Sequence, residues 1–176
     1  MSENREVISG FSGKIGILLL MITVTILFGA LSLAYFGSPK TGTLSIPSLF
    51  YLNTVLLVAS SVCLQVGWNK RAHFSGKQYV HLAILFGACF LIAQGIAYWE
   101  LAERDLWITE ATREVQYLYV LSGLHALHLI GGIIFLAVVH GPTGKASEKR
   151  AELALFFWHF LGVLWIYLLL VMLLGA

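Results

Sequence analysis

Residues 153–174 read LALFFWHFLGVLWIYLLLVMLL, an apolar run long enough to cross a lipid bilayer as one helix. The hydrocarbon core of a bilayer is about 30 Å thick, and a helix of roughly 20 residues spans it. Four similar runs precede this one, at residues 15–36, 47–68, 79–99 and 117–139. Strands of a membrane β-barrel are shorter, about 10 residues, and alternate with a period of two. The sequence therefore predicts an all-α membrane bundle of five transmembrane helices, forming one domain over residues 1–176.

Composition supports the same class. Hydrophobic residues make up 59% of the 176 residues and charged residues only 11%, which is more apolar surface than a soluble fold of this size could bury. The formal net charge is +2, and no basic cluster is dense enough to indicate nucleic-acid binding. The basic loops need only be topology signals that face anionic lipid.

The distribution of basic residues predicts the orientation, because lysine and arginine accumulate in cytoplasmic loops. Most of the basic residues precede the first run, or lie between the second and third or the fourth and fifth. They are Arg5, Lys14, Lys70, Arg71, Lys77, Lys145, Lys149 and Arg150. We therefore expect a cytoplasmic N-terminus and an external C-terminus. The first run exceeds the length of a signal-peptide core, so we expect it to be retained as a helix.

Three histidines lie inside the last two runs, where burying a polar group is costly. His125 and His128 are three residues apart, hence on one helix face, and His159 lies in the final run. Imidazole can bind haem or metal, carry protons, or hydrogen-bond between helices. His159 is expected roughly 5 Å nearer the cytoplasm than His128, which weakens a shared ligand site without excluding it. No acidic residue lies deep in a run, so a complete proton channel is not expected.

Small residues recur at four-residue spacing within the runs, for example Ala83 with Gly87 and Ser122 with Ala126. Such spacing lets helix backbones approach closely where lipid supplies no hydrophobic drive for association. The pattern predicts a tightly packed bundle and carries no functional signal.

The last two runs resemble a known family. Gly123-Leu-His-Ala-Leu-His-Leu-Ile-Gly131, followed by Glu152 and Phe157-Trp-His-Phe160, is similar to the corresponding helices of subunit III of haem-copper cytochrome and quinol oxidases. The stretch from Pro47 to Ser61 resembles the start of another helix of that family, and Gln94 with Tyr98-Trp-Glu100 resembles a third motif. Five helices match its shorter bacterial members.

The resemblance implies a subunit without catalytic residues, haem, copper or any other redox metal of its own. Such a subunit lies beside the catalytic subunit I and other oxidase subunits in the bacterial plasma membrane. It holds phospholipid in a cleft between helices and helps to sustain proton uptake, while haem and copper belong to partner subunits. The resemblance further implies a buried polar network joining the third, fourth and fifth helices. Its members would be Gln94, Glu100, His125, His128, Glu152, Trp158 and His159.

Two departures from the family pattern leave alternatives open. The first run offers Thr23, Thr25 and Ser32 where relatives tend to carry a glutamate, and Gly162 stands where an aspartate is usual. These departures argue against a direct part in proton uptake. They leave open a subunit III-like accessory protein of a nitric oxide reductase system. From a different class, a five-helix b-type cytochrome with histidine haem ligands is also left open.

Overall fold

The computed structural model describes residues 2–39, 46–70, 75–107, 111–140 and 148–175, with side chains from residue 14 onward in the first range and residue 77 onward in the third. Each range contains one long helix. The helices are α1 (Ser2–Gly37), α2 (Leu49–Asn69), α3 (Ser75–Glu103), α4 (Arg113–His140) and α5 (Glu148–Gly175). All five are long and apolar enough to cross a membrane. The predicted all-α class with five transmembrane helices is confirmed, and the chain is a multi-pass membrane protein.

Four of the helices close into a ring. Helix α2 packs along α3, α3 against α4, α4 along α5, and α5 against α2. Helix α1 lies outside this ring, against α5 and α4. The outward side of α1 carries exposed apolar residues, among them Leu18, Ile26 and Leu33, as a lipid-facing surface requires.

Local backbone chemistry sets two of the helix ends. The run predicted from residue 47 becomes helical at Leu49, because Pro47 lies in the preceding turn, where its carbonyl accepts the Phe50 amide at 3.0 Å. Helix α3 ends at Glu103, and Asp105 then takes a left-handed φ of 58°. The Leu106 amide donates to the Leu101 carbonyl at 3.1 Å. A hydrogen bond between residues five apart is typical of a helix C-terminus.

The centre of the ring is filled by the indole of Trp158, which projects from α5 between two glycines. A Cβ atom added to Gly87 on α3 would lie 2.8 Å from Trp158 Cη2. A Cβ on Gly132 of α4 would lie 2.9 Å from Leu161 Cδ1 and 3.3 Å from Trp158 Cε3. Because real Cβ atoms do not approach neighbours this closely, glycine is what allows α3 and α4 to close on the indole.

This packing predicts that Gly87→Ala and Gly132→Ala destabilise the bundle. Overpacking a filled interior costs about 1–3 kcal/mol, so the thermal midpoint of each variant in mild detergent should fall. Gly95→Ala and Gly131→Ala are matched controls, because a Cβ at either position meets nothing within 4 Å. Equal midpoints for all four variants would show that the indole does not need the two glycines.

Candidate functional site

The two tryptophans of α5 donate hydrogen bonds to hydroxyl groups of α2. Trp158 Nε1 donates to Ser60 Oγ at 3.1 Å, and Trp165 Nε1 donates to Thr54 Oγ1 at 3.1 Å. Ser60 in turn donates to the Ala83 carbonyl of α3 at 2.7 Å. An indole N–H buried in an apolar interior needs an acceptor, and α2 supplies one for each tryptophan.

A third contact lies nearer the end of α2. His159 is half-buried, and its Nε2 lies 3.2 Å from Gln65 Oε1. A carbonyl oxygen can only accept, so His159 Nε2 carries the proton and donates. The three pairs, Thr54 with Trp165, Ser60 with Trp158 and Gln65 with His159, join three successive levels of α2 to α5. We call them the α2–α5 seam.

His125 is fully buried on α4 beside the seam. Its ring centroid lies 5.2 Å from that of Trp165 and 5.7 Å from that of Phe90 on α3. Phe90 meets the edge of Trp165 with centroids 4.8 Å apart and an interplanar angle of 87°. Aromatic rings therefore enclose His125 on two sides, and neither ring nitrogen has a hydrogen-bond partner among the described residues.

His128 lies one turn further along α4 and faces α1. Its Nδ1 is 2.7 Å from the Leu124 carbonyl of its own helix, so Nδ1 donates and Nε2 is left as an acceptor. The ring meets Phe28 of α1 edge-on, with centroids 5.7 Å apart. His128 thus contributes packing between α4 and α1.

The remaining predicted site residues are spread over three places. Gln94 Oε1 on α3 accepts from Asn53 Nδ2 of α2 at 2.8 Å, and both side chains are buried. Glu100 pairs with Arg104 near the end of α3. Glu152 is exposed near the start of α5, but the helix begins at Glu148, which is the acidic residue of its first turn.

The predicted arrangement differs from the structure in one respect. The seven side chains were expected to join α3, α4 and α5, yet no hydrogen bond connects two of the seven within the described ranges. The hydrogen bonds of Gln94, Trp158 and His159 are made to side chains of α2 instead. The physical reason is the helix order, since α5 packs its backbone against α2 and not against α3. Whether the seven serve as a scaffold stays a prediction.

Sequence reasoning missed the α2 partners of these contacts, which are Asn53, Thr54, Ser60 and Gln65. Three of the four lie within the Pro47–Ser61 stretch that carries the family resemblance. Asn53 and Ser60 are seven residues apart, two helical turns, and both are fully buried. That spacing of polar residues in an apolar run was the available signal.

Two open grooves lie beside α1. The first, about 430 Å³, runs between α1, α4 and α5 and is mainly apolar. The second, about 490 Å³, opens between residues 14–21 of α1, the end of α2 and the start of α5, and combines apolar walls with polar side chains. We call it the inner groove. Its polar lining residues are Lys14, Gln65, Trp68, Glu152 and His159.

Among the residues that the structure describes, no group of three or more histidine, cysteine, aspartate or glutamate side chains is placed to hold a metal ion. Cys63 and Cys89 are free thiols.

Comparison with known proteins adds the decisive observation, since the family model for cytochrome c oxidase subunit III matches residues 2–175. The chain belongs to this family. Subunit 3 of the Corynebacterium diphtheriae cytochrome c oxidase is 30% identical over 140 residues, covering 74% of this chain and 67% of that protein. Subunit 3 of the Pseudomonas putida cytochrome bo(3) ubiquinol oxidase is 27% identical over 176 residues, and the match covers 90% of this chain and 83% of that protein.

Subunit III family members with longer chains match as well. The Gadus morhua cytochrome c oxidase subunit 3 is 32% identical over 142 residues, and the match covers 52% of it. The match with a probable Nocardia farcinica subunit 3 covers 59% of that protein. The chain thus spans about half to two thirds of the length of several relatives. The resemblance seen in the sequence motifs is confirmed at the level of the family.

The seam predicts that Ser60→Ala destabilises this subunit III family member. The change removes the acceptor of the Trp158 N–H, and an unsatisfied buried donor costs about 1–3 kcal/mol, so the thermal midpoint in detergent should fall. Thr23→Val is the control, because the Thr23 hydroxyl is exposed and donates to the Leu20 carbonyl of its own helix. Equal midpoints for the two variants would contradict a stabilising role of the Ser60 contact.

Proposed function

We propose that this chain is the non-catalytic subunit III of a respiratory haem-copper terminal oxidase in a bacterial plasma membrane. It stabilises the catalytic subunit and the lipid around it during oxygen reduction. The observation that carries the proposal is the family match over residues 2–175. Haem, copper and the oxygen chemistry belong to partner subunits in this proposal, and this chain contributes helix packing.

The filled interior supports a structural role. Phe50, Phe90, Trp158 and Trp165 occupy the ring, each with no more than 1% of its surface exposed. An axial haem ligand needs room for a porphyrin beside a ring nitrogen, whereas His125 is fully buried within the ring, with Phe90 and Trp165 packed against it. The b-type cytochrome alternative therefore has no supporting contact at His125. The comparisons do not favour the nitric oxide reductase alternative.

Charge at the helix ends supports the proposed orientation. Lys14 is exposed at the start of the membrane-spanning part of α1, and Lys77 and Lys149 are exposed near the starts of α3 and α5, on the same side of the bundle. The opposite side carries Glu103 and Asp105, exposed near the end of α3. Positively charged residues favour the cytoplasmic side, so the N-terminus is cytoplasmic and the C-terminus external in this proposal.

Affinity purification of the tagged chain in mild detergent tests the proposal. A haem-copper catalytic subunit should copurify, and the chain freed from its partners should be colourless. Stoichiometric haem b on the isolated chain, lost in His128→Ala, would overturn the proposal and favour the cytochrome. Copurification with nitric oxide reductase subunits in place of an oxidase would favour the other alternative.

The seam also predicts an effect on assembly. His159→Leu removes the hydrogen-bond partner of the exposed Gln65 carbonyl and should weaken the bundle by about 0.6 kcal/mol, so less subunit should remain on the complex after detergent extraction. His81→Leu is the matched control, because His81 is exposed and contacts the Lys77 carbonyl of its own helix. Quantitative immunoblotting of the purified complex measures retention. Equal retention of both variants would contradict this role of His159.

A phospholipid in the inner groove is part of the proposal. Apolar walls of α1 and α5 suit an acyl chain, while Lys14 and Glu152 at the rim offer one positive and one negative side chain. A zwitterionic headgroup complements both charges, and it would lie at the cytoplasmic interface in the proposed orientation.

Lys14→Glu should therefore reduce the phospholipid that copurifies with the chain, since the variant places two acidic residues against the phosphate. Native mass spectrometry counts the retained lipids. Lys77→Glu is the control, because it changes the net charge by the same amount as Lys14→Glu but Lys77 does not line the inner groove. Equal lipid retention in both variants would show that no phospholipid headgroup binds between Lys14 and Glu152.

A further inference from the structure

Four buried polar atoms in the ring lack hydrogen-bond partners among the described residues. They are Asn53 Oδ1, both ring nitrogens of His125, and Gln94 Nε2, which has the Tyr98 hydroxyl near it but no hydrogen bond of normal geometry. Asn53 and His125 have no exposed surface, and Gln94 has 1%. Buried polar groups are nearly always paired with protein or with ordered water, and each unpaired group costs about 1–3 kcal/mol. Three such residues together indicate a ligand.

Contacts between α3 and α4 place Gln94 close to the level of His125 and Ser122. Phe90 meets His125 with ring centroids 5.7 Å apart, and Tyr98 OH lies 2.7 Å from Ser122 Oγ. Gln94 is four residues from Phe90 and four from Tyr98, so the three share one face of α3. Gln94 therefore lies at a level between the two contacts and faces α4, where His125 is three residues from Ser122.

Asn53 joins this layer from α2, because its Nδ2 donates to Gln94 Oε1 at 2.8 Å. One amide hydrogen bond leaves one donor group and one acceptor unpaired. Rotating both amide groups by 180° exchanges which residue offers the unpaired donor and which offers the unpaired acceptor, but one of each remains. A neutral imidazole likewise offers one donor and one acceptor.

The ligand must be small, neutral and able both to donate and to accept. Complete burial within this chain keeps out lipid headgroups and side chains of a partner subunit. The aromatic rings of Phe90 and Trp165 occupy two sides of the imidazole. Water meets these conditions, since a buried water molecule makes about three hydrogen bonds to groups that would otherwise be unpaired.

We infer that Asn53, Gln94 and His125 form an internal water site, in which one or two water molecules bridge the amide pair to the imidazole. The bridge ties α4 to the α2–α3 pair. Helices α2 and α4 lie across the ring from each other and share no direct backbone packing. Water supplies the missing connection in the half of the bundle away from Gln65 and His159.

Electron cryo-microscopy of the protein, purified with the subunits that accompany it and at a resolution that shows ordered water, tests the inference. A density peak should lie within about 2.7–3.2 Å of one His125 ring nitrogen and of an Asn53 or Gln94 amide atom. No peak at this position, or a direct hydrogen bond from His125 to another protein atom, would overturn the inference.

Thermal midpoints of His125→Phe, Gln94→Leu and the double variant give a second readout. A shared water makes the loss in the double variant smaller than the sum of the two single losses. Combining His125→Phe with Gln65→Leu is the control and should be additive. Additivity of the first pair would overturn the inference. If His125→Phe fails to fold, the density of the unaltered protein decides.

Discussion

The structure depends on the indole of Trp158, whose ring and N–H group impose separate constraints on its surroundings. The ring requires glycine on both neighbouring helices, at Gly87 and Gly132. The N–H requires an acceptor, which Ser60 provides, and Ser60 donates onward to the Ala83 carbonyl. One side chain of α5 thereby fixes the distances to α2, α3 and α4.

Such a constraint matters more in a membrane than in water. Lipid tails are as apolar as leucine, so burying leucine between helices gains little relative to leaving it in lipid. Close packing and hydrogen bonds must hold the helices together instead. Trp158 supplies both at the centre of the ring, and Trp165 and His159 add further hydrogen bonds to α2 along the seam.

Hydrophobicity and length predicted the five helices, because an apolar run of sufficient length in a bilayer can satisfy its backbone only as a helix. Helix pairing could not be predicted in the same way. Helix α5 is apolar on every side, so no periodicity marks the face that meets α2. Trp158, His159 and Gln94 were recognised as structural candidates from their motifs. Their acceptors and donors on α2 depend on the order of helices around the ring, which one sequence does not encode locally.

The seam joins the second helix to the last of the five, and this has a consequence for biosynthesis. While the chain is being inserted, Thr54, Ser60 and Gln65 enter the bilayer well before the side chains of α5 that they contact exist. Until α5 is inserted, these polar groups have partners only on α2 and α3, since Thr54 donates to the Phe50 carbonyl and Ser60 to the Ala83 carbonyl. Closure of the ring is therefore a late, post-insertion step, and a nascent chain that stops before α5 presents polar groups to any cellular quality control that surveys the membrane.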